Sequence, residues 1–351
     1  MLDNELYRQD IEYFNSLPLP WEKLDSKTIV ISGATGMIGS FIIDALMERT
    51  DINTLIVALG RSGTKGMERF AAWQGNPRFS FVECDINNLS TLRELRDIPA
   101  NIMLHLASST HPLQYSTDPI GTITANIIGL NNLLEYGADH ACERFVFASS
   151  VEIYGENRGD TEKFSEDYLG YIDCNTLRAG YPEGKRAAEA LCQAYISQKQ
   201  MDIVITRLSR TYGPTVLKSD TKAISQFIKK GVQGEDIVLK SEGTQLYSYN
   251  YCADSAAGLM YCLLKGEKGE AYNVADDRSD IALKDLAGMI ADIAGTKVTF
   301  ELPDAVEAAG YSKATKALLD PAKLRALGFT AGYDMRKGLQ RTIEILREKQ
   351  L

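Results

Sequence analysis

Tyr181 and Lys185 stand four residues apart, a spacing that puts a phenol and an ammonium on one face of a helix. A cation near a phenol favours the phenolate, the form that removes a proton from a hydroxyl group. The spacing is not selective alone, because Tyr195/Lys199 and Tyr261/Lys265 repeat it. Tyr181 is the first of the three after the strand-like run Arg144–Ser150, whose end carries Ser150, a hydroxyl suited to hold a substrate oxygen beside the phenol. The other two pairs read as structural.

The second chemically suggestive stretch is Gly33-Ala34-Thr35-Gly36-Met37-Ile38-Gly39. In such a triplet the first glycine allows a tight turn, the second lets the backbone approach a pyrophosphate, and the third lets helix and strand pack closely. The helix that follows offers N–H donors and the positive end of its dipole. Gly33, Thr35, Gly36, Met37, Ile38 and Gly39 are therefore expected to hold a dinucleotide. An acidic residue after the second strand would hold the ribose hydroxyls of NAD, but the chain has Gly60-Arg61-Ser62 there. Arg61 and Ser62 suit a 2′-phosphate, so NADP is expected over NAD. The plainer alternative leaves Arg61 on the adenine or in solvent. Asp85 and Ile86, after the third strand, are placed to meet the adenine edge.

These residues need a sheet to position them. Thr28–Ser32, Leu55–Leu59, Phe79–Asp85, Ile102–Ala107, Arg144–Ser150 and Asp202–Leu208 are short apolar runs separated by helical patterns. Continuous apolar strands alternating with helices give a parallel sheet covered on both faces. The expected fold is α/β, a Rossmann-type doubly wound parallel sheet with a smaller C-terminal α+β substrate lobe. Residues 1–24 read as an amphipathic helical extension ended by Leu17-Pro18-Leu19-Pro20, residues 25–211 as the dinucleotide-binding domain, and residues 212–351 mainly as the substrate lobe. A cleft between two lobes is a natural ligand site.

Composition sets limits on partners. Across 351 residues, 38 Lys and Arg against 47 Asp and Glu leave a net charge of −9. Nucleic acid and anionic membrane call for a clustered basic excess, so neither is an expected partner. The six cysteines show no CxxC pair, and His105, His111 and His140 form no ligand pattern, so no metal is expected. The opening MLDNELYRQDIEYF lacks a signal-peptide pattern and no run is long enough to span a membrane, which suggests a reducing, cytoplasmic setting.

The chain resembles the extended short-chain dehydrogenase/reductases of the nucleotide-sugar epimerase/dehydratase family. The resemblance runs from Lys27 to the C-terminus. It rests on the glycine loop, His105-Leu106-Ala107-Ser108, Asn126 before Gly129, Ser149-Ser150-Val151-Glu152-Ile153-Tyr154-Gly155, Tyr181/Lys185, and Arg207 with Thr211-Tyr212-Gly213-Pro214. The stretch Arg178–Arg186 and the helix from Ala223 are most similar to UDP-glucuronate decarboxylases. The resemblance implies that Leu106, Ala107, Ser108, Asn126, Ser209, Tyr181 and Lys185 also line the cofactor, that Arg178, Arg210, Lys240 and Tyr247 meet the substrate, and that the protein is a homodimer.

The departures shape the expected reaction. Where dehydratases and decarboxylases carry a polar or acidic residue followed by glutamate, this chain has Val151 and Glu152. A valine cannot protonate a leaving hydroxyl. Tyr247 replaces the arginine that decarboxylases place after the Gly-x-Gln turn, and Arg210 replaces the asparagine before Thr-Tyr-Gly-Pro. What remains is an oxidation apparatus of Ser150, Tyr181 and Lys185, with Glu152 as a candidate second base. The expected activity is redox-neutral epimerisation of a nucleotide-linked sugar or sugar alcohol with tightly bound NAD(P). An NADPH-dependent keto-sugar reductase and a dehydratase or decarboxylase are the alternatives, and a non-catalytic dinucleotide sensor is a third.

Overall fold

The computed structural model describes residues 1–349 apart from 94, 109, 111–114, 116 and 302–314, so His111 lies outside the described residues. Seven strands form the central sheet: β1 (Thr28–Ser32), β2 (Leu55–Gly60), β3 (Phe79–Glu83), β4 (Ile102–His105), β5 (Arg144–Ser150), β6 (Ile203–Leu208) and β10 (Ala271–Val274). They run parallel in the order β10-β6-β5-β4-β1-β2-β3. The order reverses between β1 and β4, which opens a crevice at their C-terminal ends, where open α/β sheets bind ligands. Ser32 lies in register with both Leu59 and His105 there.

The two-residue period of a strand divides the core. Ile29 and Ile31 enter one buried cluster, and Val30 enters the other. Helices α2 (Met37–Glu48) and α9 (Cys252–Lys265) cover the first face, while α6 (Leu130–Asp139) and α7 (Gly180–Lys199) cover the second. Short helices α3 (Gly63–Arg69), α4 (Leu89–Arg93) and α5 (Pro119–Thr124) lie in the crossovers.

The chain leaves the first sheet abruptly. Only Ser209 separates β6 from β7 (Arg210–Tyr212), which pairs with β9 (Leu246–Tyr251) in a second sheet completed by β11 (Asp280–Ala282) and β13 (Lys316–Ala317). β8 (Ile237–Leu239) and β12 (Val298–Phe300) make a separate parallel pair. Around them lie α8 (Ala223–Gln233), α10 (Leu283–Ala294), α11 (Ala322–Ala326) and α12 (Met335–Glu348). β10 then rejoins the central sheet, so the two lobes share the later chain.

The first 24 residues are not one helix. α1 (Glu5–Asn15) stops before Pro18 and Pro20, and a 3-10 turn over Trp21–Leu24 follows. The buried face of α1 carries Asp10 with Tyr7, Ile11 and Phe14. Tyr7 donates to Asp44 of α2 at 2.7 Å, Tyr13 to Asp254 of α9 at 2.7 Å, and Arg341 of α12 to Asp10 at 2.8 Å. Among the described residues, no helix is long and apolar enough to cross a membrane.

Candidate functional site

Backbone contacts fix the glycine loop. Gly33 adopts φ +72°, and a Cβ there would lie 2.6 Å from the Ala107 nitrogen and 2.7 Å from the Leu106 carbonyl carbon. Gly39 is packed as closely, since its Cβ would sit 2.7 Å from the Gly33 oxygen. The N-cap of α2 is Gly36, with no side-chain cap, so the N–H groups of Met37, Ile38 and Gly39 are turned to the crevice end of the helix without a side-chain acceptor. Ser209 Oγ, at the seam between the sheets, is buried without a hydrogen-bond partner. A closely packed glycine cradle, an uncapped helix start and an orphaned hydroxyl together fit a dinucleotide. Thr215 of the second lobe donates to the Met37 carbonyl at 2.9 Å and ties that lobe to the cradle.

The remaining cofactor candidates lie around the same crevice. Arg61 is exposed after β2, while Ser62 caps α3 by accepting from the Lys65 N–H at 3.4 Å. Asp85 accepts from the Asn87 N–H at 3.0 Å, and buried Ile86 packs beneath Gly129. Ser108 donates to Asn126 at 2.9 Å, and Asn126 in turn donates to the Thr122 carbonyl at 2.9 Å, within a π-turn over Ala125–Gly129.

Tyr181, Ser150 and Lys185 converge where β5 ends. Tyr181 is buried, and its phenol faces the Ser150 and Ser108 hydroxyls. Burial pushes the phenol up to about 12; Glu152 adds to the rise, while the Ser150 hydrogen bond, Arg178 and Ser108 oppose it. Lys185 Nζ donates to the Ala148 carbonyl at 2.7 Å and lies 6.0 Å from the centre of the Tyr181 ring. Burial lowers its ammonium to about 7, partly offset by Glu189. The four-residue spacing does bring the two side chains together, but desolvation outweighs the simple attraction that the spacing suggests.

Glu152 sits in different company from the free base that the sequence suggests. One of its oxygens accepts from Arg178 at 2.9 Å, and the other faces Arg210 at 3.5 Å. The Arg178 guanidinium lies 4.7 Å from the centre of the Tyr115 ring, and Arg210 lies 3.6 Å from that of Tyr247. Tyr115 stacks on Tyr181, with centres 5.0 Å apart and planes at 26°. Arg178, Arg210 and Tyr247 are thus gathered near Tyr181, whereas Lys240 follows β8 in the two-stranded pair.

Two residues of the site escaped the sequence reading. Glu189 accepts from Ser149 and from Arg207, and its place four residues after Lys185 was a readable signal. Tyr115 carried none, because it belongs to no periodic run. The other Tyr/Lys pairs are structural: Tyr195 donates to Asn131 at 3.0 Å and to Glu135, and Lys265 lies over the Tyr261 ring at 4.8 Å. His105 is buried against Ser32, with Nδ1 2.7 Å from its hydroxyl, and burial and then Lys185 lower its pKa to about 3. Among the described residues, no group of three or more His, Cys, Asp or Glu side chains is placed to hold a metal ion.

Known proteins match the chain along most of its length. UDP-glucuronic acid decarboxylase 1 of Xenopus tropicalis is 29% identical over 325 residues, covering 93% of this chain and 73% of that protein. UDP-glucuronic acid decarboxylase 6 of Arabidopsis thaliana is 31% identical over 248 residues, covering 71% and 69%. Among solved structures, the UDP-glucose 4-epimerase of Thermotoga maritima superimposes with a TM-score of 0.80 at 20% identity, covering 92% of this chain and all of that one. The UDP-glucuronic acid 4-epimerase of Bacillus cereus gives 0.77 at 23% identity, covering 92% and 99%. The model of the NAD dependent epimerase/dehydratase family matches residues 29–275, from the first strand to the return of β10, and the chain is a member of that enzyme family.

Proposed function

We propose that the protein inverts a hydroxyl-bearing carbon of a nucleotide-linked sugar or sugar alcohol by transient oxidation. The observation that carries this reading is the convergence of the buried Tyr181 phenol, Lys185 and Ser150 at the end of β5, in the sheet whose first strand leads into the glycine cradle. A nicotinamide dinucleotide bound along that cradle supplies the hydride acceptor and donor. Tyr181 takes the hydroxyl proton and later returns it, Ser150 holds the oxygen, and Lys185 braces the strand end. Val151 stands where a dehydratase needs an acid, and both oxygens of Glu152 face guanidiniums. These features favour return of the hydride over elimination.

The test is product analysis after incubation with UDP-, CDP-, dTDP- and GDP-sugars in deuterated water. An epimer without deuterium at the inverted carbon, and without net change in nicotinamide absorbance, is expected. Stoichiometric consumption of NADPH would replace this reading with a reductase. The decarboxylase relatives favour one second reading, in which the same oxidation makes a ketone β to a carboxylate that then leaves. Carbon dioxide released from UDP-glucuronate would establish it in place of epimerisation.

The cofactor reading is NADP, supported by exposed Arg61 at the end of β2. Arg61→Ala is expected to weaken NADP binding about tenfold or more, as loss of a charge-assisted hydrogen bond does, and to leave NAD binding nearly unchanged. Fluorescence titration with both dinucleotides checks it; equal losses would point to the adenine instead. Ile120, Ile123, Ile128 and Leu177 are exposed around α5 and the start of α7, which supports a homodimer seam there that light scattering would reveal.

A further inference from the structure

Arg178 reaches Glu152 from the turn before α7, and Arg210 reaches it from β7 in the other sheet. Each guanidinium lies against an aromatic ring, and each has its Nη1 atom buried without a hydrogen-bond partner. Buried donors of charged groups are seldom left unmatched, because they have lost water and gained nothing in return. Two of them in one cluster call for an acceptor that the protein does not supply. The charges agree: two guanidiniums against one carboxylate leave a single positive charge. The cluster also touches the reacting group, since Tyr115 lies between Arg178 and Tyr181. An acceptor seated there belongs to the sugar, near the carbon whose hydroxyl Tyr181 serves.

We propose that Arg178 and Arg210 form a receptor for one carboxylate on the sugar, with Glu152 holding the two guanidiniums in place until that group arrives. The inference rests on the reading of the cleft as a nucleotide-sugar site. Arg178 is the fixed half, bonded to Glu152 at 2.9 Å. Arg210 is the looser half at 3.5 Å, and its guanidinium carbon lies over the Tyr247 ring, 3.6 Å from the centre. Stacking fixes a guanidinium plane while leaving its N–H edge free for a planar acceptor. Tyr247 therefore serves as the platform for a charge carried by the neighbouring strand. Glu152 becomes a positioning residue, since both its oxygens are committed to the arginines.

Binding measurements test this without turnover. In a Tyr181→Phe background with cofactor bound, affinities are compared for UDP-glucuronate against UDP-glucose, and for methyl glucuronide against methyl glucoside, which need no nucleotide recognition. The acidic member of a pair is expected to bind about tenfold tighter or more, the range of a charge-assisted pair. Arg210→Gln should remove that preference while leaving UDP affinity unchanged, and Arg210→Lys should restore only part of it. Glu152→Gln should keep or increase it. Equal affinities in both pairs would overturn the receptor, as would a matching loss of UDP affinity in Arg210→Gln, which would assign the arginines to the diphosphate. Absence of an epimer from the wild-type enzyme would defeat the proposed reaction but would not alter these ratios.

Discussion

Tyr181→Phe is expected to lower kcat by roughly 10²–10⁴-fold, the usual contribution of a positioned acid or base. Dinucleotide affinity should be almost unchanged, because the cradle is built from β1, the start of α2 and the Leu106–Ala107 backbone. The phenylalanine keeps the ring that stacks on Tyr115 and loses only the oxygen that meets Ser150 and Ser108. The pH profile adds a sign. A base acts when deprotonated, so kcat/KM should rise with pH as the phenol ionises. Burial has raised that phenol to about 12 and the Ser150 hydrogen bond lowers it, so Ser150→Ala should move the rising limb to higher pH. Burial lowers the Lys185 ammonium to about 7, so its help to the phenolate fades as pH rises through that value. Turnover within tenfold of wild type in Tyr181→Phe would remove the tyrosine from the chemistry.

What the sequence disclosed depended on how local each feature is. The six early strands and the glycine loop rest on periodicity and spacing within a few residues, and the structure places the six strands in the central sheet and the loop between β1 and α2. Gly33 shows why the loop was readable: no side chain fits against Ala107 at that φ. The return of β10 was not readable, because Ala271–Val274 is short and joins a strand more than 60 residues earlier in the chain. Glu152 was visible as a departure from plain oxidation chemistry, but its partners lie 26 and 58 residues away. In the sequence, Arg210 could already be read as returning the positive charge lost at Tyr247. Only the pairing of β7 with β9 shows them to be neighbours, one stacked on the other. α1 shows the opposite limit, because a helical pattern marks apolar residues as buried and treats Asp10 as a surface residue.

That buried aspartate leads to the largest expected effect on stability. Arg341→Leu should destabilise the protein by about 3–5 kcal/mol, the cost of removing one partner from a buried ion pair. The Asp10 side chain is 1% exposed and Arg341 10%, so water does not replace the missing guanidinium. Asp10 would keep neutral phenol donors, Tyr251 foremost, and no cation. Burial already raises the Asp10 carboxyl above its ordinary 3.8, with Tyr251 and Arg341 opposing the rise. A carboxyl raised in the folded state binds protons more tightly there than in the unfolded chain, so its contribution to stability falls as pH rises from 3.8 through the folded value. Without Arg341 that fall should steepen, and the deficit of the variant should shrink as the solution is acidified into that window. The double variant Asp10→Asn/Arg341→Leu, which buries no lone charge, should recover part of the loss at neutral pH. Urea unfolding of the three proteins at neutral and acidic pH measures both claims. Since α1 bonds to α2, α9 and α12 through Tyr7, Tyr13 and Asp10, hydrogen exchange in the single variant should rise first in α1. A deficit independent of pH would mean that Arg341 contributes through its bonds to Gln9 and Leu6 alone, and not through the charge on Asp10.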